Sequence, residues 1–186
     1  MSVQTIRKRY FTTFELILLA LFSALVVVDK IVLHLPLAIP GHSGVTWMAI
    51  LVVARGLVPK TGALSLVGLT SGLLAAFFGL GDLGALYTIL SYLASGIGDD
   101  LIALFLGDIE SIVPAALAGI VGNVAKMLTK TAMAVLLQIP ASFIALGLLY
   151  SFFTNAIAGL LGGLLGWLIL RALRRAGFFT YLAEKR

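Results

Sequence analysis

The sequence contains no cysteine and few charged residues, and each shortage excludes a class of protein. Without cysteine, the 186 residues can form neither a disulfide framework nor a thiolate metal site. Charged residues account for 11% of the chain, whereas soluble globular domains carry about 25%. Disordered chains and nucleic-acid-binding domains need more charge than this. The chain is therefore expected to be ordered and to have no nucleic-acid partner.

Recognisable catalytic motifs are also missing. The chain has no P-loop, no HExxH and no GxSxG. The segment Gly41-His42-Ser43-Gly44 looks like a hydrolase corner, but no acid or second histidine is placed to orient His42. His34 and His42 lack a third ligand nearby, which makes a metal site weak. We predict that the protein is not an enzyme and holds no cofactor or metal.

Apolar residues, by contrast, are abundant. They make up 61% of the chain, and the mean hydropathy is +1.12. A water-soluble core of this size could not bury so much apolar surface, so we expect the lipid bilayer to be the solvent for most of the chain.

Turn signals divide the apolar sequence into six stretches, which we predict to be membrane-spanning helices. Prolines and glycines mark the boundaries, as in Pro59-Lys60-Thr61-Gly62. The stretches cover about residues 12–33, 44–58, 62–78, 82–106, 114–137 and 141–173. The second is shorter than the roughly 20 residues that a span needs, so we interpret it as a short or partly buried helix. The predicted fold is all-α, a single membrane domain of six transmembrane helices.

The distribution of cations predicts how the bundle lies in the membrane. Basic residues precede the first stretch, flank the turn after the second and follow the sixth: Arg7, Lys8, Arg9, Arg55, Lys60, Arg171, Arg174, Arg175, Lys185 and Arg186. With six spans they all fall on one side, which the positive-inside rule makes cytoplasmic. We therefore predict that the N and C termini are both cytoplasmic.

Polar side chains within the predicted spans are the main functional clues, because ionisable groups in a bilayer are costly and mark functional sites by default. The fourth stretch carries Asp99 and Asp100, and the fifth carries Lys126 and Lys130. Helical spacing predicts one polar face on each of three consecutive stretches: Thr88, Ser91, Tyr92, Ser95 and Asp99; Asn123, Lys126 and Lys130; Tyr150, Ser151, Thr154 and Asn155. We expect these faces to converge on a cavity inside the bundle.

Lys126 has two interpretations. An antiparallel pairing of the fourth and fifth stretches about residue 110 places Asp99 roughly 9 Å from the level of Lys126, toward the cytoplasm. Lys126 therefore either forms an ion pair with Asp99 or contacts a ligand, in which case it favours a carboxylate or another anionic group. Lys130 lies nearer the outer surface, where it can also reach water. Of the adjacent Asp99 and Asp100, at least one is expected to cap a helix, bond to backbone or face a partner.

Aromatic and amide side chains complete the candidate site. Trp47, Tyr87 and Tyr150 lie where a ring either anchors the protein at the membrane interface or stacks on a ligand. The Asn155 amide offers a donor and an acceptor to a ring-shaped ligand. The predicted substrate-binding residues are His42, Trp47, Tyr87, Tyr92, Asn123, Lys126, Lys130, Tyr150 and Asn155.

Three segments together resemble parts of the substrate-binding S component of an energy-coupling factor (ECF) transporter. Ala20-Leu21-Phe22-Ser23-Ala24 is similar to the AxxxA pattern with which S components dock on their transmembrane coupling subunit. The proline-containing loop from His34 to Gly44 resembles the lid over the substrate cavity. The segment from Arg55 to Gly62 is similar to the short cytoplasmic turn between the second and third helices. The resemblance covers about residues 12–175.

This resemblance implies a function and partners. It implies high-affinity binding of a small water-soluble micronutrient, a vitamin or vitamin precursor, in a cavity open to the outside of a prokaryotic cytoplasmic membrane. A coupling subunit and two ABC-type ATPases would supply the energy, so that ATP is used by the partners. Ala20 and Ala24 become the predicted docking residues. The alternative is a small autonomous secondary transporter or channel acting as an oligomer, which internal repeats would favour; residues 12–78 and 82–173 show no convincing similarity.

Overall fold

The computed structural model describes residues 10–32, 41–81, 83–107, 109 and 111–177. In these ranges the chain forms six α-helices and no β-strand: α1 (Thr13–Val32), α2 (Gly44–Leu57), α3 (Ala63–Phe77), α4 (Ala85–Leu106), α5 (Ile112–Leu136) and α6 (Ala141–Arg175). The predicted all-α class is confirmed, and each helix matches one predicted stretch to within a few residues. The start of α4 differs most, because Gly84 precedes it with a φ of +91°, a backbone conformation that does not continue into a helix.

Three of the helices are long and apolar enough to cross a bilayer. These are α4, α5 and α6, with 22, 25 and 35 residues. At about 1.5 Å per residue each exceeds a hydrocarbon core of about 30 Å. Their outer faces expose large apolar side chains such as Leu104, Phe105 and Leu161, which water would disfavour and lipid would accept. The chain is therefore a membrane-embedded protein.

The short helix α2 lies in the middle of the bundle. It packs against each of the other five helices, and eleven of its 14 residues are buried. A helix surrounded by other helices does not need to match the thickness of the bilayer by itself. The interpretation of this stretch as short and partly buried is confirmed.

Glycines allow the helix backbones to approach one another closely. A Cβ atom on Gly119 of α5 would overlap the carbonyl of Gly159 on α6, and one on Gly163 would overlap the carbonyl of Ala115. In the same way, Gly96 of α4 lies directly against the backbone of Leu64 on α3. Small residues at such positions are the usual means of close helix packing in membranes. These contacts determine how each helix is rotated, and therefore which side chains face inward.

Asp100 joins three helices at the basic end of the bundle. Its carboxylate accepts hydrogen bonds from the Ser65 backbone N–H at 2.8 Å and the Ser65 hydroxyl at 2.7 Å, and so caps the start of α3. It also forms an ion pair with Arg55 of α2 at 3.3 Å. The Arg55 guanidinium in turn donates to the Lys60 carbonyl. Of the two adjacent aspartates, Asp100 is thus the one that caps a helix.

A second polar cluster at the same end fixes the beginning of α1. Thr12 and Glu15 form a capping box, in which each side chain accepts a hydrogen bond from the other's backbone N–H, at 3.2 Å and 2.8 Å respectively. Glu15 also forms an ion pair with Lys60 at 2.6 Å. Lys60 donates to the Tyr10 carbonyl at 2.7 Å. These contacts join α1 to the turn between α2 and α3.

Candidate functional site

A cavity of about 330 Å³ lies at the end of the bundle opposite Arg55 and Asp100. It is surrounded by the last turn of α1, the turn before α2, the segment after α3, and parts of α4, α5 and α6. Its volume falls within the roughly 300–1,000 Å³ of typical small-molecule sites. Six predicted binding residues line it: Tyr87, Tyr92, Asn123, Lys126, Lys130 and Asn155.

The polar face of α4 points into the bundle along its whole length. Its five predicted residues are all buried: Thr88, Ser91, Tyr92, Ser95 and Asp99. Those nearer the start of the helix line the cavity, and Asp99 lies beyond it. Residues three or four apart stack along one side of a helix, so a single rotation of α4 turns the whole face inward.

Lys126 lies on the aromatic rings of Trp47 and Tyr92. Its ammonium group is 3.9 Å from the centroid of the Trp47 ring and 5.2 Å from that of Tyr92, and the two rings are 4.4 Å apart with an angle of 55° between their planes. Both distances lie within the range of cation–π attraction. Trp47 is only 4% exposed, so it is part of the core rather than an anchor at the membrane interface. It does not line the cavity directly but lies behind Lys126.

Lys126 interacts electrostatically with Asp29 of α1. The Asp29 carboxylate, in the last part of α1, interacts with the charge of Lys126 and accepts a hydrogen bond from Thr46 at 2.9 Å. No ion pair joins Lys126 to Asp99. The predicted helix register holds, since Asp99 lies against Gly122 of α5. The ion-pair interpretation of Lys126 and Asp99 is wrong, because Lys126 is directed toward α1 and α2 instead of along α5.

Asp99 is a fully buried carboxyl group. Its exposure is 0%, and among the described residues neither of its oxygens has a hydrogen-bond partner. A charged carboxylate in such a place carries a large desolvation cost. The side chain fits there because Gly122 has no side chain of its own.

Asn123 and Asn155 connect α5, α6 and the turn before α2. The Asn123 amide donates to the Asn155 backbone carbonyl at 2.8 Å, and the Asn155 amide donates to the Ser151 carbonyl at 2.8 Å. A Cβ atom on Gly41 would overlap Asn155, and one on Gly44 would overlap Asn123. Although both asparagines line the cavity, each amide nitrogen therefore has a structural hydrogen bond as well.

Besides Trp47, the structure leaves two predicted binding residues outside the cavity, Tyr150 and His42. Tyr150 is 56% exposed and points away from the bundle, whereas Ser151 and Asn155 of the same predicted face do line the cavity. Successive residues of a helix are separated by about 100°, so Ser151 and Asn155 share a side that Tyr150 does not. His42 is partly buried in the turn before α2 and does not line the cavity either.

Comparisons of the chain with protein-family models, with characterised proteins and with solved structures find no match.

Sequence reasoning overlooked Lys30 and Asp29. Both lie near the end of α1, within the first predicted span, and neither was among the polar residues assigned to the cavity; Lys30 nevertheless lines the cavity, and Asp29 interacts electrostatically with Lys126. The available signal was a pair of charges within an apolar helix, which is costly unless the charges face the interior. In the part of the chain that the structure describes, no three histidine or carboxylate side chains lie together as a metal site would require.

The predicted docking residues lie on the outer face of α1. Ala20 and Ala24 are both exposed, next to Ile17, Leu21 and Leu25, which are exposed as well. The opposite face of α1 packs into the bundle through Leu19 and Ser23 among others. The strip is therefore exposed on the outside of the helix bundle. Most of the predicted lid, residues 34–40, and the terminal cations before residue 10 and after residue 177 lie outside the described residues.

Proposed function

We propose that this chain is a substrate-binding membrane subunit that takes up a small water-soluble micronutrient, a vitamin or a vitamin precursor, as S components of ECF transporters do. The observation that carries the proposal is the cavity itself. Polar residues from α4, α5 and α6 converge on one space of about 330 Å³. Charged and polar groups within a membrane bundle are costly, and in such proteins they mark substrate pathways.

In this proposal all six helices form the membrane domain, and both termini are cytoplasmic. Five of the eight basic residues of the described chain support this orientation, since they lie at or beyond the end of the bundle away from the cavity: Arg55, Lys60, Arg171, Arg174 and Arg175. The other three, Lys30, Lys126 and Lys130, line the cavity. Under the positive-inside rule that end faces the cytoplasm. The cavity then opens to the outside, where a scavenged nutrient would be met.

The energy for uptake comes from partners in this scheme. A transmembrane coupling subunit would dock on the exposed strip of α1 that includes Ala20 and Ala24, where small side chains allow a close approach. Two ABC-type ATPases would hydrolyse ATP. Substrate binding would close the loop over the cavity, and a tilt of the whole subunit within its partner would release the substrate inward.

The test is a search for a bound ligand. The protein is purified gently in nanodiscs, and native mass spectrometry is expected to find one small water-soluble molecule per chain. Gly147 lines the cavity and has no atom within 4 Å of where its Cβ would be, so Gly147→Trp should block the cavity without a clash. Leu168→Trp adds the same side chain on the outer face of α6 and is the matched control. A preparation that carries no ligand and binds none from a nutrient mixture would refute the proposal.

A second measurement separates this proposal from the alternative. If the protein is a binding subunit, proteoliposomes that contain it alone should bind the ligand but not accumulate it. Accumulation without ATPase partners would instead indicate an autonomous secondary transporter or channel.

A further inference from the structure

We infer that the cavity binds a ligand through an anionic group, a carboxylate or a phosphate, held between Lys30, Lys126 and Lys130. This inference rests on the proposed function and names the chemical class of its substrate. Three observations support it: the charges that face the cavity, the contacts that hold Lys126, and the apolar and aromatic residues of the remaining cavity walls.

The cavity carries an excess of positive charge. Three lysines line it, Lys30 from α1 and Lys126 and Lys130 from α5, and no aspartate or glutamate of the described chain does so. Among the described residues, Asp29 is the carboxylate shown to interact with these lysines, through Lys126 and Lys30. Lysines therefore outnumber carboxylates three to one among the described side chains at and next to the cavity.

An excess of positive charge is unfavourable unless a bound anion neutralises it. Lys126 and Lys130 are four residues apart on one helix, so their like charges repel each other. The repulsion is stronger beside a membrane than in water, because the surroundings are less polar. Lys30 approaches the same space from another helix. A bound anion would relieve the repulsion among all three and would form charge-assisted hydrogen bonds with them.

Lys126 is already held in place for this role. Its ammonium group lies 3.9 Å from the Trp47 ring centroid and 5.2 Å from that of Tyr92, and both rings are buried. A lysine held in this way loses less side-chain entropy on binding than one that moves freely in water.

The remaining walls suit an uncharged body attached to the anionic group. Phe143, Ile144 and Leu148 of α6 provide apolar contact, and Tyr87 and Tyr92 of α4 provide aromatic contact. Thr88 and Ser91 add hydroxyl groups, although each of these already donates to a backbone carbonyl of its own helix. The site therefore fits a small molecule with an acidic end and a largely apolar or planar remainder.

The experiment uses the full chain in nanodiscs of zwitterionic phosphatidylcholine, with a bacterial small-molecule extract divided on an anion-exchange resin as the probe. The melting temperature of the protein is measured with the retained fraction and with the flow-through. Binding of each fraction is measured by titration calorimetry. We expect the retained fraction alone to raise the melting temperature. We expect Lys126→Met and Lys130→Met each to weaken the binding of the retained fraction at least tenfold. A tenfold change corresponds to about 1.4 kcal/mol in binding free energy. Arg171→Met, which removes one exposed charge at the other end of α6, is the matched control and should bind normally.

Two further variants keep the test valid if Lys126→Met folds poorly. Lys126→Arg retains the charge and the contact with the rings, and should bind the retained fraction more tightly than Lys126→Met does. Lys130 is exposed at the rim and does not pack on the rings, so Lys130→Met should fold normally.

The outcomes are distinct. Stabilisation by the flow-through only would overturn the anionic class and leave the proposed function standing. Stabilisation by neither fraction would overturn both. A third arm uses nanodiscs that contain phosphatidylglycerol and no extract. If these alone stabilise the protein, and Lys126→Met abolishes the effect, the lysines hold an anionic lipid headgroup, which supports the anion site and contradicts uptake of a soluble nutrient through it.

Discussion

The ammonium group of Lys126 lies 3.9 Å from the centre of the Trp47 ring. The contact joins α5 to the start of α2, and it places a positive charge at the boundary between the buried core and the cavity. A change at either residue should therefore affect the cavity, although only Lys126 lines it.

Trp47 should report ligand binding through its fluorescence. The chain has two tryptophans, Trp47 and Trp167, so Trp167→Phe leaves Trp47 as the only reporter. Because an anion would change the charge next to the Trp47 ring, we expect its emission to change when the retained extract fraction is added. In the Trp47→Phe variant the remaining emission comes from Trp167, and it should not change when the fraction is added. Unchanged emission from Trp47 at saturating ligand, verified by calorimetry, would contradict the assignment of Lys126 to the site.

Removing the ring should weaken binding without abolishing it. Trp47→Leu takes away the ring that holds Lys126 in place, so Lys126 should lose about 0.5–1.5 kcal/mol more in side-chain entropy on binding, and the dissociation constant should rise by roughly twofold to tenfold. Trp47→Phe keeps a ring and should have a smaller effect. Titration calorimetry checks both variants. Equal loss in both would mean that the shape of the indole, and not its interaction with the cation, is what matters.

Asp99 and Lys126 should behave as independent residues. Since they form no ion pair, the double-mutant cycle of Asp99→Asn and Lys126→Met should give a coupling energy below about 0.5 kcal/mol. Asp99→Asn by itself should leave the melting temperature unchanged or raise it, because the amide has nearly the shape of the carboxylate without its charge. If Asp99→Asn strongly lowered the melting temperature and adding Lys126→Met restored it, the result would support an ion pair between the two residues.

Asp100 should behave in the opposite way to its neighbour. Asp100→Asn removes the charge that pairs with Arg55 and weakens the cap of α3, so we expect a loss of about 3–5 kcal/mol in the free energy of unfolding. Arg55→Met combined with Asp100→Asn should be less destabilising than Asp100→Asn alone, because no unpaired buried charge remains. Ligand affinity measured below the unfolding transition should be unchanged, since the cavity is at the other end.

The contact between α5 and α6 should not tolerate a side chain at Gly119. Gly119→Ala places a methyl group against the Gly159 backbone, and we expect a loss of about 1–3 kcal/mol or more. Gly147→Ala is the control on α6, because a Cβ there has open space and should be nearly neutral. Thermal unfolding of the two variants checks the prediction. Similar melting temperatures would mean that the two helices can move apart without cost.

The docking strip should be needed for uptake and not for binding. Ala20→Trp with Ala24→Trp makes the exposed face of α1 bulky, so transport with the ATPase partners should be lost. Because the cavity is elsewhere in the bundle, ligand affinity should be retained. Leu104→Trp, on the exposed face of α4, is the control. Equal loss of affinity in the folded double variant would argue against a separate docking face.

Helix positions and polar faces were predictable because their signals are local. Pro140 and the Pro59–Gly62 turn lie directly at helix boundaries, and the spacing of Asn123, Lys126 and Lys130 places them on one side of α5 whatever lies opposite. Even the register of α4 against α5 followed from a short connection, since Asp99 meets Gly122 about where an antiparallel pairing puts it. Composition by itself indicated the membrane.

Only the tertiary structure decided which side chains meet across the bundle. The central position of α2, the contact of Lys126 with Trp47, and the entry of Lys30 into the cavity depend on how helices distant in sequence are rotated against one another. That rotation follows from close backbone contacts such as Gly119 with Gly159, which no periodicity in a single helix encodes. The same rotation left Tyr150 outside the cavity and turned Lys126 away from Asp99. Adjacent residues of a helix point about 100° apart, so the rotation of each helix decides which side chains face the cavity and which face the lipid.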